Sequence, residues 1–168
     1  SECLSYLMSW HSNNPNHEII TIWLELDSWE SGGHKPVDLD NNRLLHDLGN
    51  NIFTPQQLLS NCPNSTSLQD AIEKCGWPSL ESLRNKFIVV LMGNNEEEDR
   101  YLNDVNYYRG DLSIGNNGYT GPKLCFVAPE IKDINSINNW QDAIFFNIHN
   151  TDGLDLALDI FHMKFVSR

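Results

Sequence analysis

The sequence predicts an α/β protein with a parallel sheet that is either open or closed into a barrel. Short runs rich in β-branched and aromatic residues alternate with segments of helical periodicity, which is the pattern that parallel strands and their crossover helices produce. The strand-like runs are apolar on both faces, as expected of strands that are covered on both sides. The sequence contains no internal repeat and no glycine-rich phosphate loop.

The first half of the chain predicts a helix, a buried strand and several short helices. Residues 1–11 place apolar side chains at helical spacing, and residues 18–27 form the first strand. Thr54-Pro55-Gln56-Gln57 combines a cap residue, a proline at the first helical position and a glutamine in the capping-box position. Residues 67–74 predict another short helix, which Gly76 ends.

The second half predicts strands over residues 86–92, 123–128 and 143–149, and the start of another over residues 164–168. A helix capped by Thr151 or Asp152 precedes the last strand. The chain has 168 residues, fewer than the roughly 200 to 250 of a complete (β/α) barrel. Its two ends also fall within predicted elements, so we expect residues 1–168 to form a single, incomplete domain.

The charge and composition restrict the possible partners. The chain has 23 acidic and 11 basic residues, a net charge of −12, so it repels polyanions at long range, which argues against nucleic acid. The longest apolar runs, such as Phe87–Met92, are far shorter than the roughly 20 residues of a membrane-spanning helix. An anionic substrate would need a local cation, and a metal ion held by carboxylates is the obvious candidate.

The four cysteines, Cys3, Cys62, Cys75 and Cys125, fit no zinc-binding spacing. Cys62 and Cys75 bracket a loop and helix that a disulfide could close, with a stabilisation of roughly 3 kcal/mol. Asn64-Ser65-Thr66, inside that loop, is an acceptor pattern for N-glycosylation. Together they predict a secreted, extracellular protein. The alternative is a chance sequon and free, buried cysteines.

The first strand carries the clearest candidate site. Strand side chains alternate, so Thr21, Trp23, Glu25 and Asp27 share one face, which in a barrel would look into the interior. Glu25 and Asp27 then lie at the carboxyl end, where barrel enzymes carry their active sites, and could bind a divalent cation or act as acid and base. The competing interpretation makes Asp27 a solvated turn residue and pairs Glu25 with a lysine or arginine.

The strand over residues 143–149 follows the same alternation. Phe145, Asn147 and His149 share a face, and the polar members again lie toward the carboxyl end. For His149 a structural role is the preferred interpretation. Spacing alone does not name a reaction for any of these residues.

The order of motifs resembles the secreted, calcium-dependent phosphoinositide phospholipase C family. The resemblance runs from about residue 4 to residue 168, and its most specific part is Gly76-Trp77-Pro78-Ser79-Leu80 followed by the strand over residues 86–92. It implies a partial (β/α) barrel of the phospholipase C type that contains roughly strands 4 to 7. It also implies that Glu25, with Asp27 as a candidate, binds Ca²⁺ in the complete protein, and that Asn147 contacts the inositol headgroup.

The sequence also departs from the family pattern. No His-Asn-Ser-Tyr type motif, acidic second strand or histidine of the third strand precedes Ser1, so we assign no catalytic residue in this chain. Met92-Gly93-Asn94 stands where related phospholipases have lysines. The resemblance thus implies a phosphoric diester hydrolase of lipid metabolism, with peripheral membrane contact, whose catalytic histidines lie outside this chain.

Two other interpretations stay open at this point. A non-catalytic barrel relic or binding domain would keep the fold without the chemistry. A glycerophosphodiesterase barrel would fit the architecture, but it would not explain the Gly76-Trp77-Pro78-Ser79-Leu80 block.

Overall fold

A computed structural model describes residues 2–25, 44–92, 101, 123–131, 137 and 139–147, and the backbone of residues 166–167. The described part is an α/β structure with parallel strands, as the sequence predicts. The elements are α1 (Glu2–Asn13), β1 (Ile20–Glu25), α2 (Pro55–Ser60), α3 (Leu68–Cys75), β2 (Phe87–Met92), β3 (Phe126–Val127), β4 (Phe145–Phe146) and β5 (Val166–Ser167). No helix in these ranges is both long enough and apolar enough to cross a bilayer.

Strand β2 lies at the centre of a three-stranded parallel sheet in the order β1-β2-β3. Every residue of β1 pairs with one residue of β2, from Ile20 with Phe87 to Glu25 with Met92. All six residues of β2 are buried, because strands cover both of its edges and side chains cover both of its faces. This burial explains why β2 is apolar throughout instead of alternating.

Strands β4 and β5 form a second parallel pair, which an isolated bridge joins to β3. Glu130 pairs with Asn147; the Asn147 N–H donates to the Pro129 carbonyl (3.0 Å), and the Ile131 N–H donates to the Asn147 carbonyl (3.1 Å). Each described strand is therefore next to its sequence neighbour. Strands β3 and β4 are shorter than predicted, because only part of each extended run has a paired neighbour. The predicted helix after Thr151 lies outside the described residues.

The two short helices have the ends that their sequences predict. The Thr54 side chain accepts from the Gln57 N–H (3.2 Å) and the Gln57 side chain accepts from the Thr54 N–H (2.9 Å), so the capping box is complete. Ser67 caps α3 by accepting from the Asp70 N–H at 3.1 Å. Gly76 follows α3 with a φ of 75°, a conformation that a residue without a Cβ adopts at little cost.

A disulfide joins Cys62 to Cys75, as predicted, with their Cα atoms 6.0 Å apart. The bond connects the end of α2 with the end of α3 and closes a segment with a sequence separation of 13. Among the described residues, Cys3 is exposed and Cys125 is buried, and neither forms a disulfide. The disulfide therefore lies within one helical hairpin and not within the sheet.

That hairpin covers the amino ends of the strands. The Gln69 side-chain amide donates to the carbonyls of Trp140 (2.9 Å) and Ala143 (3.0 Å), which enter β4 from its amino end. The Phe53 N–H donates to the carbonyl of Phe87, the first residue of β2, at 2.8 Å. We call residues 52–76 the amino-end cap.

Two histidines fix α1 to the start of β2 at the same side of the sheet. His17 Nδ1 lies 2.5 Å from the Glu18 carbonyl, which can only accept, so this nitrogen carries the proton. His17 Nε2 then accepts from His11 Nδ1, at 2.7 Å. Both rings pack against Phe87, with centroid distances of 5.3 and 5.7 Å. Burial lowers the pKa of His11 most, and repulsion from His17 and from Lys86 lowers it further.

This lowered pKa predicts a loss of stability in acid. The unfolded chain takes up a proton near the ordinary histidine pKa of about 6.5, at which the folded His11 is still neutral. The free energy of unfolding should therefore fall as the pH drops below about 6.5 and level off below the lowered pKa of His11. Urea denaturation at a series of pH values measures this. His11→Gln should have a flatter profile than the wild type, because it removes the group whose pKa is lowered. Equal profiles for wild type and His11→Gln would show that the lowered pKa of His11 is not the cause of the loss of stability in acid.

The disulfide yields a second prediction. Replacing both Cys62 and Cys75 by alanine should lower the free energy of unfolding by about 3 kcal/mol, because the unfolded chain regains the entropy of an open loop. Cys3→Ala, at a free and exposed cysteine, is the control and should leave stability within about 0.5 kcal/mol of wild type. Denaturant unfolding without reductant measures both. A double variant as stable as the control would show that the bond contributes nothing.

Candidate functional site

A layer of aromatic rings lies beneath the candidate site. The Trp23 ring meets Phe145 edge-on with centroids 5.9 Å apart, and Phe145 also contacts Phe126 (5.5 Å) and Trp77 (5.8 Å). Phe53 stacks on Phe126 at 6.3 Å. These rings come from β1, β3, β4, the amino-end cap and Trp77, the residue that follows the cap, so one apolar layer connects the strands to the cap.

This layer determines where the polar side chains of the strands lie. Trp23 and Phe145 touch, so they are on facing or shared surfaces of the sheet. Side chains alternate along a strand, so Glu25 and Asn147, each two residues further on, lie on the same surface and closer to the carboxyl ends. Glu130 pairs with Asn147 and belongs to the same surface. We call Glu25, Glu130 and Asn147 the carboxyl-edge group.

Glu25 is the last residue of β1, and its backbone is fixed by pairing with Met92. Its side chain is exposed, so the carboxylate is in contact with water and needs no partner to offset burial. Among the described residues it forms no ion pair with a lysine or arginine, which was the competing interpretation. An exposed carboxylate at a strand end is available to an incoming cation.

Asn147 is half-buried, and both of its backbone polar groups are bonded to the segment after β3. Those two bonds fix the position from which its side chain projects. Its role in contacting a substrate stays a prediction. The same holds for metal binding by Asp27, which lies outside the described residues, as does His149.

Glu130 is a candidate that the sequence analysis missed. Its side chain is half-buried, and it stands four residues after Phe126, on the same side of the extended run. The predicted strand ends at Ala128, so Glu130 lies beyond it. Continuing the alternation from Phe126 through Ala128 to Glu130 is the signal that would have found it.

Two of the described histidines, His11 and His17, lie away from the carboxyl-edge group. His11 and His17 contact Phe87, the first residue of β2, so they are at the amino ends of the strands. In the part of the chain that the structure describes, no three histidine, cysteine or acidic side chains come together to hold a metal. The carboxyl-edge group itself offers two carboxylates and one amide.

This set of oxygen atoms suits a hard cation or the hydroxyl groups of a sugar. Calcium takes six to eight oxygen ligands from carboxylates, amide carbonyls and water. The carboxyl-edge group has oxygen atoms of the kind that calcium binds, but too few of them to supply all six to eight ligands. It can therefore supply part of a calcium site, with the other ligands coming from elsewhere.

A family model and several solved structures match this chain. The model of the family described as phosphoinositide phospholipase C, Ca²⁺-dependent, matches residues 1–141. The calcium-dependent phosphoinositol-specific phospholipase C of the Gram-negative bacterium Pseudomonas sp. has a similar structure, with a TM-score of 0.76 at 22% identity, covering 99% of this chain and 56% of that one. The myo-inositol complex of the Pseudomonas enzyme has the same TM-score, identity and coverage.

The calcium-dependent phosphatidylinositol-specific phospholipase C of Streptomyces antibioticus has a TM-score of 0.65 at 18% identity, covering 98% of this chain and 56% of that one. This chain thus spans a little over half the length of these structures, and at such identities the likeness shows the fold. No protein with a curated functional description matches the sequence. Because the family model covers most of the chain, the protein belongs to the calcium-dependent phosphoinositide phospholipase C family.

Proposed function

We propose that this chain forms roughly strands 4 to 7 of a (β/α) barrel whose complete protein cleaves the phosphodiester bond of phosphoinositide lipids. Family membership supports the reaction class. The strand arrangement supports the architecture, because parallel strands that lie next to their sequence neighbours are the pattern of such a barrel. The coverage of similar structures, a little over half of their length, supports a partial barrel formed by residues 1–168 as a single, incomplete domain.

The observation that carries the proposal is the position of the carboxyl-edge group. Glu25, Glu130 and Asn147 lie at the carboxyl ends of three different strands, above one shared apolar layer. Barrel enzymes assemble their active sites at this end from residues of several strands. The opposite end is occupied by the amino-end cap and the histidine pair, which leaves the carboxyl edge as the side for substrate.

In this proposal Glu25 and Asp27 supply oxygen ligands to Ca²⁺. When bound, calcium would stabilise negative charge that develops on the phosphoryl oxygens. The chain has a net charge of −12, which repels an anionic headgroup. A cation held by the exposed Glu25 carboxylate would give that headgroup a local attraction.

Asn147 contacts the inositol ring in this proposal. A side-chain amide both donates and accepts hydrogen bonds, so it suits a hydroxyl group, which does the same. The similar Pseudomonas enzyme, whose structure was solved as a myo-inositol complex, supports inositol as the ligand class. Glu130, next to Asn147 on the same surface, adds a carboxylate that accepts from neighbouring hydroxyls.

The chemistry needs groups that we place outside this chain. An inositol hydroxyl next to the phosphodiester attacks phosphorus while the bond to the lipid oxygen breaks, so one group must remove a proton and another must supply one. We assign both roles to histidines of the preceding strands. His11 and His17 do not suit these roles, because they lie at the opposite edge of the sheet.

We further propose that the protein is secreted and contacts membranes only peripherally. A disulfide between Cys62 and Cys75 fits an oxidising compartment. The acidic surface disfavours broad adsorption to anionic lipid and also disfavours nucleic acid, so binding depends on the headgroup site.

The first functional prediction is that this chain alone does not hydrolyse phosphatidylinositol. General acid and base must both be within hydrogen-bond reach of the substrate, and in this proposal both are histidines outside this chain. Release of water-soluble inositol phosphate from mixed micelles measures turnover, with and without added calcium. Calcium-dependent release by the purified chain would contradict the proposal. A complete protein that also fails would favour the non-catalytic alternative.

The second functional prediction concerns Glu25 in the complete protein. Glu25→Gln should weaken calcium binding by about tenfold or more and lower turnover, because it keeps the shape of the side chain and removes a charged ligand. Glu18→Gln is the matched control: Glu18 precedes the amino end of the same strand, and its carboxylate pairs with Arg84 at 3.1 Å. Calorimetric titration with calcium and a thermal melt measure affinity and folding. Equal calcium affinity in the two variants would remove Glu25 from the site.

A further inference from the structure

We infer that Asn64 is an N-glycosylation site, placed so that its glycan lies at the amino-end cap and away from the carboxyl-edge group. Asn64-Ser65-Thr66 is the only N-x-S/T pattern of the whole sequence, and the proposed catalytic function makes no use of it. The inference rests on export, proposed above, and not on the enzymatic reaction.

The local structure presents the Asn64 side chain to solvent. The Ser65 N–H donates to the Cys62 carbonyl at 3.0 Å, which closes a turn with Pro63 and Asn64 as its two central residues. Pro63 and Asn64 are both exposed. The Asn64 side chain makes no hydrogen bond with any residue that the structure describes, so its amide nitrogen can carry a sugar without breaking a native contact.

The turn itself is held firmly by neighbours on both sides. The disulfide from Cys62 to Cys75 ties its first residue to the end of α3. The Lys74 ammonium donates to the Asn64 backbone carbonyl at 3.4 Å and also pairs with Asp70 at 2.7 Å. These contacts use the backbone of Asn64 and leave its side chain outside. A glycan there would extend from a rigid base into solvent.

The disulfide and the sequon point to the same compartment. Structural disulfides form and persist in secreted proteins, and the machinery that attaches asparagine-linked glycans acts on proteins entering that pathway. Here the acceptor lies two residues after Cys62, inside the loop that the disulfide closes. A single short segment therefore carries both marks of export.

The position is compatible with activity at the opposite edge. The amino-end cap, to which Asn64 belongs, is bonded to Phe87 at the start of β2, whereas Glu25 pairs with Met92 at its end. A six-residue strand separates the two edges by about 16 Å, at about 3.3 Å per residue. A glycan on Asn64 thus projects from the side of the molecule that does not face substrate.

The test is expression of the chain behind a signal peptide in a eukaryotic secretory host, followed by the intact mass before and after peptide N-glycosidase. We expect one glycan on the wild-type chain, removed by the enzyme. Asn64→Gln should be secreted at its sequence mass. Thr66→Ser, which keeps the acceptor pattern and a hydroxyl, should still be modified and is the matched control.

A secreted, disulfide-bonded wild-type chain at its sequence mass would overturn the inference, as would a glycan that remains in Asn64→Gln. If a variant is not secreted, in vitro translation in the presence of microsomes shows whether the translocated chain carries a glycan. A translocated wild-type chain without a glycan would also overturn the inference. Phosphatidylinositol hydrolysis is not part of either readout, so failure here and failure of the proposed function are distinguishable.

Discussion

The residue-for-residue parallel pairing of β1 with β2 is the constraint on which the other features depend. It fixes Trp23 beside Val90 and Glu25 beside Met92, so the aromatic layer and the carboxylate occupy successive levels of one surface. β2 is apolar at every position because side chains cover both of its faces, while β1 and β3 pair with its two edges. A shift of this pairing by one residue would turn Glu25 to the other face and separate it from the rest of the carboxyl-edge group.

The two edges of the sheet have different tasks. Stabilising features collect at the amino ends: the disulfide, the helix caps, and the histidine pair against Phe87. Polar side chains with oxygen donors, Glu25, Glu130 and Asn147, collect at the carboxyl ends. This division is typical of (β/α) barrels, in which loops at one end carry the chemistry while the other end supports the fold. It is also compatible with both the glycan proposed at Asn64 and the calcium site proposed at Glu25.

Features that depend on neighbouring residues in the chain were predictable from the sequence. The capping box at Thr54, the buried strand β2 and the bond between Cys62 and Cys75 are all confirmed, because each is determined by local pattern or short separation. Glu130 and the histidine pair were not predictable in this way. Glu130 acquires its place by pairing with Asn147, and the His11–His17 bond depends on how the intervening turn folds. The alternation of side chains along the strands predicted the positions of Glu25, Asp27 and Asn147, but not their chemistry. Their proposed roles came from the family resemblance.

A calcium-bound crystal structure of the complete protein tests the central claim most directly. The measured quantity is the distance between a carboxylate oxygen of Glu25 and the calcium ion. The proposal predicts about 2.3 to 2.6 Å, with the ion at the carboxyl ends of the strands and additional ligands from the part of the protein outside this chain. A calcium ion bound at the carboxyl edge without Glu25 among its ligands, or Glu25 turned toward the outer helices, would contradict it.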